Sequence, residues 1–397
     1  MRPALYYPWV YLKGGAERVL VELLRRSRHD WTLYTNHFEP ASTFAEFAGM
    51  RVIELRSVSV RRTLADVARA GLTLMTQRLD LSQHDALIVV SEGLGNLVAA
   101  RSAIPTSCVC LTPLKLAYDD ETRRRYFARG GGLHQRLAIR LYADFERQAW
   151  KRYIRVFCDS GETRRRLLDA RLVEERRLDV VHPGVDSEWF RPTGEREPFF
   201  LVPGRIMWSK NIELAIRAWR RFKPDSGSGA FHLVVAGMVD QKSRPYLRQL
   251  RELAGKRSDI TFVESPNDSE LLRLYQRCHA AIVPSLNEDW GLVALEAMAC
   301  GKAVLATDRG GLRESIIDGE TGFLCRDDEE VFEQAIGQLA RLPSSVLDGI
   351  GLKARARAAD FTWGAFVDRI DAHIDLAIWP GRPFVNLNRA SLGSGLR

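Results

Sequence analysis

Short apolar runs alternate with longer amphipathic stretches along nearly the whole chain. "ALYYPW" is followed by "GAERVLVELLRR", and "IRVFCDS" by "GETRRRLLDA". "DALIVVS" from Asp85 and "PTSCVCL" from Pro105 read as further buried strands, and "LDVVHPGVD" closes this half. The second half repeats the scheme. "FFLVPGR" leads to "NIELAIRAWRRF", "HLVVAG" to "PYLRQLRELAG", "ITFVES" to "DSELLRLYQRC", and "KAVLATD" to "GLRESI". Strands that alternate with helices predict parallel sheets covered on both faces. The units are too many for one sheet, so the pattern predicts an α/β chain of two doubly wound domains. The first spans residues 1–190 and the second 191–360. A final segment, 361–397, begins with the helix pattern "TWGAFVDRIDAHIDLAIW" and ends in a loosely held tail beyond Pro380. The linker is expected near "DSEWFRPTGEREP", which is polar and holds two prolines.

In open parallel sheets, ligands bind outside the carboxyl ends of the strands. Three strand ends carry candidate chemistry. The first is "AAIVPS", which runs into "EDWGLVALEAMACGKAVLATDRGG", Glu288 to Gly311. Gly291 opens a helix whose free N–H groups favour an anion. At ~100° per residue, Leu292, Leu295 and Ala299 form a buried arc, and Glu296 lies about 40° from Leu292. A buried carboxylate is costly without a partner. The vicinal hydroxyls of a ribose would satisfy it, and so would a core arginine such as Arg313. The second end is "FFLVPGRIMWSKN". Arg205 offers a planar fork and Lys210 a point charge, so that the pair could hold a diphosphate or lie as surface cations. The third is "YLKGGAERVL", where Gly14 and Gly15 allow close backbone approach or make an ordinary turn.

Composition narrows the classes. The chain has 397 residues, 46% hydrophobic and 27% charged, which is ordinary for globular domains. Six cysteines are too few for a disulfide scaffold of this length, and the Cys108-x-Cys110 pair has no second pair at zinc spacing. The cysteines are read as reduced core residues. The first residues have no long apolar run, and no leader is expected. No stretch of ~18 apolar residues occurs, so no spanning helix is expected, and the chain is placed in the cytoplasm. The net charge of +8 fits phosphate ligands, an acidic membrane surface, or a GC-rich genome that favours arginine codons. Nucleic-acid signatures are missing. One basic amphipathic stretch, "LHQRLAIRLYADFERQAW", follows the glycines 130–132 as a joint. It reads either as a helix packed on the first sheet or as a peripheral contact with the inner membrane face.

The strand-end residues, taken with "HPGVDSEWFRP", "GRIMWSKNIELAIRAW", "LVVAG" and "DGETGFLC", carry a resemblance. The chain resembles retaining GT-B glycosyltransferases of family four, the glycosyl transferases group 1, in order and spacing over nearly its whole length. The resemblance implies two nucleotide-binding-like domains facing a cleft. The first would bind the acceptor (a glycan, glycolipid or small molecule) and the second a nucleotide sugar. The last helix would cross back to the first domain. Glu296 would bind the ribose, and Glu288 would face the transferred sugar. Arg205 and Lys210 would clamp the diphosphate, with Gly14, Gly15 and the amides of Gly291 and Leu292. Asp289, Trp290 and Gly237 would complete the donor site.

Without an Asp-x-Asp at a strand end, protein cations would replace a metal, so neither metal nor cofactor is expected. Leu111 stands where relatives carry a His that contacts the sugar near its C6 hydroxyl. That departure points to an altered donor, a 6-deoxyhexose or pentose, or to impaired catalysis. A non-catalytic nucleotide-sugar-binding subunit and a GT-B phosphorylase or epimerase are the alternatives.

Overall fold

The computed structural model describes residues 1–61, 63–128, 130, 132–223 and 231–377. The expected tail beyond Pro380 and the middle glycine of the 130–132 joint lie outside them. The first sheet contains β1 (Ala4–Tyr6), β2 (Thr32–Thr35), β3 (Val52–Glu54), β4 (Leu87–Ser91), β5 (Thr106–Cys110), β6 (Val156–Cys158) and β7 (Leu178–Val180). The second contains β8 (Phe199–Pro203), β9 (His232–Gly237), β10 (Ile260–Glu264), β11 (Ala280–Val283), β12 (Val304–Thr307) and β13 (Gly322–Cys325). β2, β3 and β13 add to the strands expected from the pattern.

All strand pairs within the two sheets are parallel. The strand orders are β3-β2-β1-β4-β5-β6-β7 and β10-β9-β8-β11-β12-β13. Successive side chains of a strand point to opposite faces. Leu5 therefore packs into one core cluster while Ala4 and Tyr6 enter the other. Phe200 and Val202 likewise part from Phe199 and Leu201. Both faces of the central strands are covered, which is why they read as unbroken apolar runs, while the edge strands β3 and β10 are partly exposed. Five cysteines are buried and all six are free, so they belong with the packing.

The chain passes between the sheets twice. After β7 it reaches β8 through Val185, whose N–H donates to Phe361 O at 3.1 Å. The helix Trp363–Ala377 then returns to the first sheet. Its Trp363, Phe366, Val367, Ile370 and Ile374 join the cluster of Leu5, Leu20 and Ile88. Polar contacts fix its register: Ser27 Oγ donates to Asp371 at 2.6 Å, and Ser107 Oγ lies 2.9 Å from His373 Nε2. The last helix therefore completes the first domain's core, and the second domain keeps cores of its own. The basic stretch forms the helix Leu133–Trp150. It buries Glu146, Ala149 and Trp150 at its carboxyl end and leaves much of its length exposed. Among the described residues, no helix is long and apolar enough to cross a membrane.

Candidate active site

Each sheet reverses its strand order once, between β1 and β4 and between β8 and β11. A crevice opens at such a reversal because successive connections leave toward opposite faces. The two reversals face each other. From β1 the chain enters the helix Gly15–Arg26, and from β11 it enters the helix Leu292–Ala299. Leu292 Cδ1 lies 3.6 Å from where a side-chain carbon on Gly15 would stand. Two helix amino-termini, each with free N–H groups, therefore meet across the cleft.

The predicted clamp residues converge here. Lys210 ends a short 3-10 turn (Trp208–Lys210), and Asn211 after it adopts the left-handed conformation at φ 52°. The turn aims Lys210 Nζ at both Glu288 oxygens, at 2.8 and 2.7 Å. Burial alone would raise the Glu288 carboxyl. Lys210, with the nearby Lys115 charge, outweighs it and holds the carboxyl at about 2. Arg205 leaves β8 half-buried and donates through Nε and Nη2 to the Met207 sulfur, at 3.2 and 3.1 Å. Sulfur is a weak acceptor, so an anion would compete well for this guanidinium.

Gly237, at the end of β9, makes room for that exit. A side-chain carbon there would come within 1.8 Å of Gly204 O. Gly291 has φ 93°, and a side-chain carbon would meet Leu312 Cδ2 at 2.8 Å. Only glycine fits the start of that helix without strain.

Glu296 lies one turn into the same helix. Its partner is not Arg313, which is exposed and bonds Asp308 at 2.6 Å. Tyr275 Oη donates to Glu296 at 2.7 Å. Burial pushes the carboxyl up to about 7, with the Tyr275 bond acting against it. One hydroxyl bond compensates only part of the desolvation, and further donors would be favourable.

Three residues expected at the donor have partners within the protein. Asp289 turns to the first domain, where it pairs with Lys115 at 2.7 Å and with the buried Arg166. Trp290 is 3% exposed, donates to Pro183 O at 2.9 Å, and packs on His182 and Phe361. It stabilises the first crossing between the domains. Leu111 is 7% exposed and belongs to the first domain's core with Val109 and Trp363. An apolar side chain at a strand end gains more from that core than from a polar cleft.

Other residues of the site escaped the sequence. Arg166 also bonds Asn287 Oδ1, and Lys115 Nζ donates to Asn287 O at 2.6 Å. Asn287 Nδ2 donates to Asp119 at 2.7 Å. The loop that carries Glu288 is thus held from the opposite domain. Glu314 accepts the N–H groups of Gly161 and Glu162, at 2.8 and 3.0 Å, and lies 2.9 Å from His182 Nε2. On the first-domain wall, Glu17 is buried near Glu92 and Arg205. Burial first, then the Glu92 charge, pushes its carboxyl up to about 8. Arg166 had a legible signal: it shares the buried arc of its helix with Thr163 and Leu167, and a buried arginine needs a carboxylate.

Comparison with known proteins gives the same picture twice. The model of the Glycosyltransferase Family 4 domain matches residues 13–189, and that of Glycosyl transferases group 1 matches 186–355. The chain is 31% identical over 239 residues to D-inositol 3-phosphate glycosyltransferase of Mycobacterium avium, covering 56% of this chain and 55% of that protein. Its counterpart from Nocardia farcinica is 32% identical over 257 residues, covering 61% and 56%. The chain thus spans about half the length of these curated relatives. Among solved structures, Anabaena HepE in complex with UDP and glucose superposes with a TM-score of 0.70 at 16% identity, over 95% of this chain and 100% of that one. Sucrose-phosphate synthase of Thermosynechococcus elongatus gives 0.72 at 20% identity, over 94% and 98%. At these identities the likeness establishes the GT-B fold.

Proposed function

Because this chain belongs to the glycosyltransferases of group 1 and family 4, whose two models together account for residues 13–355, we propose that it transfers a sugar from a nucleoside-diphosphate sugar to an acceptor hydroxyl with retention. The observation that carries the reading is the meeting of Arg205, the Lys210–Glu288 pair, Glu296 and two helix amino-termini at facing strand reversals.

Breaking the anomeric bond leaves positive charge on the sugar and negative charge on the diphosphate. Arg205, Lys210 and the amides of Gly15, Gly291 and Leu292 stabilise the leaving group as its charge grows. Lys210 stands between that anion and Glu288, whose ionised carboxyl faces the developing positive charge. Glu296 takes the ribose hydroxyls. The acceptor attacks from the face the diphosphate leaves, and the departing phosphate oxygen takes its proton. The protein's own cations do this without a metal, so chelation leaves turnover intact. Loss of activity with EDTA, restored by manganese, would reject that part.

We propose a donor sugar without a free C6 hydroxyl. Leu111, standing where relatives carry a His, cannot itself bond such a hydroxyl, and an unpaired hydroxyl costs ~1–3 kcal/mol. UDP-, GDP- and TDP-linked hexoses and 6-deoxyhexoses, tried in competition, test the donor. Inositol 3-phosphate and glycolipids are the first acceptors to try. If no donor is hydrolysed or transferred while nucleotide sugar still binds, a non-catalytic binding subunit replaces this reading. Release of a sugar phosphate, or epimerisation of the donor, would favour the phosphorylase or epimerase alternative.

A further inference from the structure

We propose that the helix Leu133–Trp150 is a docking surface for the anionic face of a phospholipid bilayer, with its axis parallel to the surface. The site described above uses none of the side chains involved. Leu133, Leu137, Leu141 and Phe145 are 83%, 58%, 51% and 53% exposed. They recur every fourth residue, so they form one stripe that advances about 40° per step. Glu146, Ala149 and Trp150 hold the helix to the domain from the opposite side. The stripe runs twelve residue steps from Leu133 to Phe145, roughly 18 Å of helix, too short to cross a membrane and long enough to lie on one.

The charge beside the stripe selects the occupant. Arg136, Arg140 and Arg147 are exposed and fall along one edge of it, within about 60° of Leu133. Arg124 on the neighbouring helix Asp120–Ala128 is exposed too, as are Lys151 and Arg152 after Trp150. Arg136 packs over the Phe127 ring, 4.4 Å from its centroid, which ties the two helices into one basic surface. Asp144 is the acidic group on the stripe itself. Apolar side chains flanked by arginines match the acyl boundary and headgroups of an anionic bilayer. A second copy of the chain fits less well. A two-fold contact places the same patch against itself, so Arg136, Arg140 and Arg147 would face their own counterparts.

The test is flotation of the full chain with vesicles of phosphatidylcholine, alone or mixed with phosphatidylglycerol. The chain should bind the mixed vesicles, ignore phosphatidylcholine alone, and be released as salt shortens the screening length. Arg140→Gln should weaken binding about fivefold, the effect expected for one cation near the surface. Leu137→Asp with Leu141→Asp should weaken it about tenfold or more. These residues are exposed, and an unchanged circular dichroism spectrum and melting temperature check that the fold is intact. Leu137→Gln with Leu141→Gln serves if the aspartates disturb it. Equal binding to both vesicle types, no binding, or binding indifferent to these substitutions overturns the proposal. So does a dimer, seen by light scattering, that dissolves in the Leu137→Asp, Leu141→Asp variant while vesicles stay unbound.

Discussion

Lys210 and Glu288 test each other. Replacing Lys210 by Ala removes a charge-assisted partner worth ~1.5–3 kcal/mol, so turnover and nucleotide-sugar affinity should fall roughly 10–150-fold. Arg205→Ala should do the same, and wild-type kinetics in both variants would exclude the site. The pair also predicts a pH effect. Glu288 is held down at about 2 from 4.5, so its contribution to stability is present above the unfolded value and lost as pH falls through about 2. Urea midpoints of Lys210→Ala should lose part of that acid dependence. Parallel profiles for the variant and the wild type would contradict the pairing.

Glu296 has the opposite sign. Its carboxyl is raised from 4.5 to about 7, so its contribution is present below 4.5 and lost as pH rises through 7. Glu296→Gln should flatten stability between those limits. If the ionised carboxyl accepts the ribose hydroxyls, calorimetric affinity for nucleoside diphosphate should rise with pH through 7 in the wild type. In Glu296→Gln it should be weaker and pH-independent. Equal affinities would remove the ribose assignment. Tyr275→Phe should move the wild-type midpoint upward, because the lost hydroxyl bond favours the ionised form.

The loop between β11 and the helix Leu292–Ala299 owes its shape to the facing domain. Arg166 is 2% exposed on its side chain and bonds both Asn287 and Asp289. Removing one partner of a buried pair costs ~3–5 kcal/mol, chiefly from the charge left behind. Arg166→Ala should therefore destabilise the protein by about that much and slow turnover by displacing Glu288. Asp289→Ala in the same chain should cost much less than the sum. A double-mutant cycle that proves additive would show that the latch does not form.

Across the whole molecule, the helix Trp363–Ala377 decides whether the first domain stands alone. It supplies Trp363, Phe366, Val367, Ile370 and Ile374 to that domain's core. Deleting residues from Thr362 onward would remove them all and uncover Leu5, Leu20 and Ile88, far beyond the ~2–5 kcal/mol of a single large core truncation. The shortened chain should lose its cooperative melting transition or precipitate. A soluble truncation with the wild-type melting temperature would show that the crossing contributes nothing. The same connection predicts that nucleoside diphosphate, bound between the domains, raises one common transition rather than two. At 100 times its Kd the gain would be roughly 2.7 kcal/mol.

Much of this was legible in the chain itself. Unbroken apolar runs followed by amphipathic stretches determine two parallel sheets, because a strand covered on both faces cannot alternate and a covering helix must. Their carboxyl ends locate Arg205, Lys210, Glu288, Glu296 and the glycines 14 and 15, since a parallel sheet leaves its crevice only there. Partners were not legible. The pattern places Glu296 beside the buried arc of its helix, and only the tertiary structure decides between Arg313 and Tyr275. It places Asp289 and Trp290 beside Glu288, and the structure turns one to Arg166 and the other into the crossing. It marks the stretch from Leu133 as amphipathic, and the structure shows that its apolar stripe stays uncovered. Periodicity reports which way a side chain points from its own element. What it meets there is set by another element, 21 residues away for Glu296 and more than a hundred for Asp289 and Trp290, and the local pattern carries no record of it.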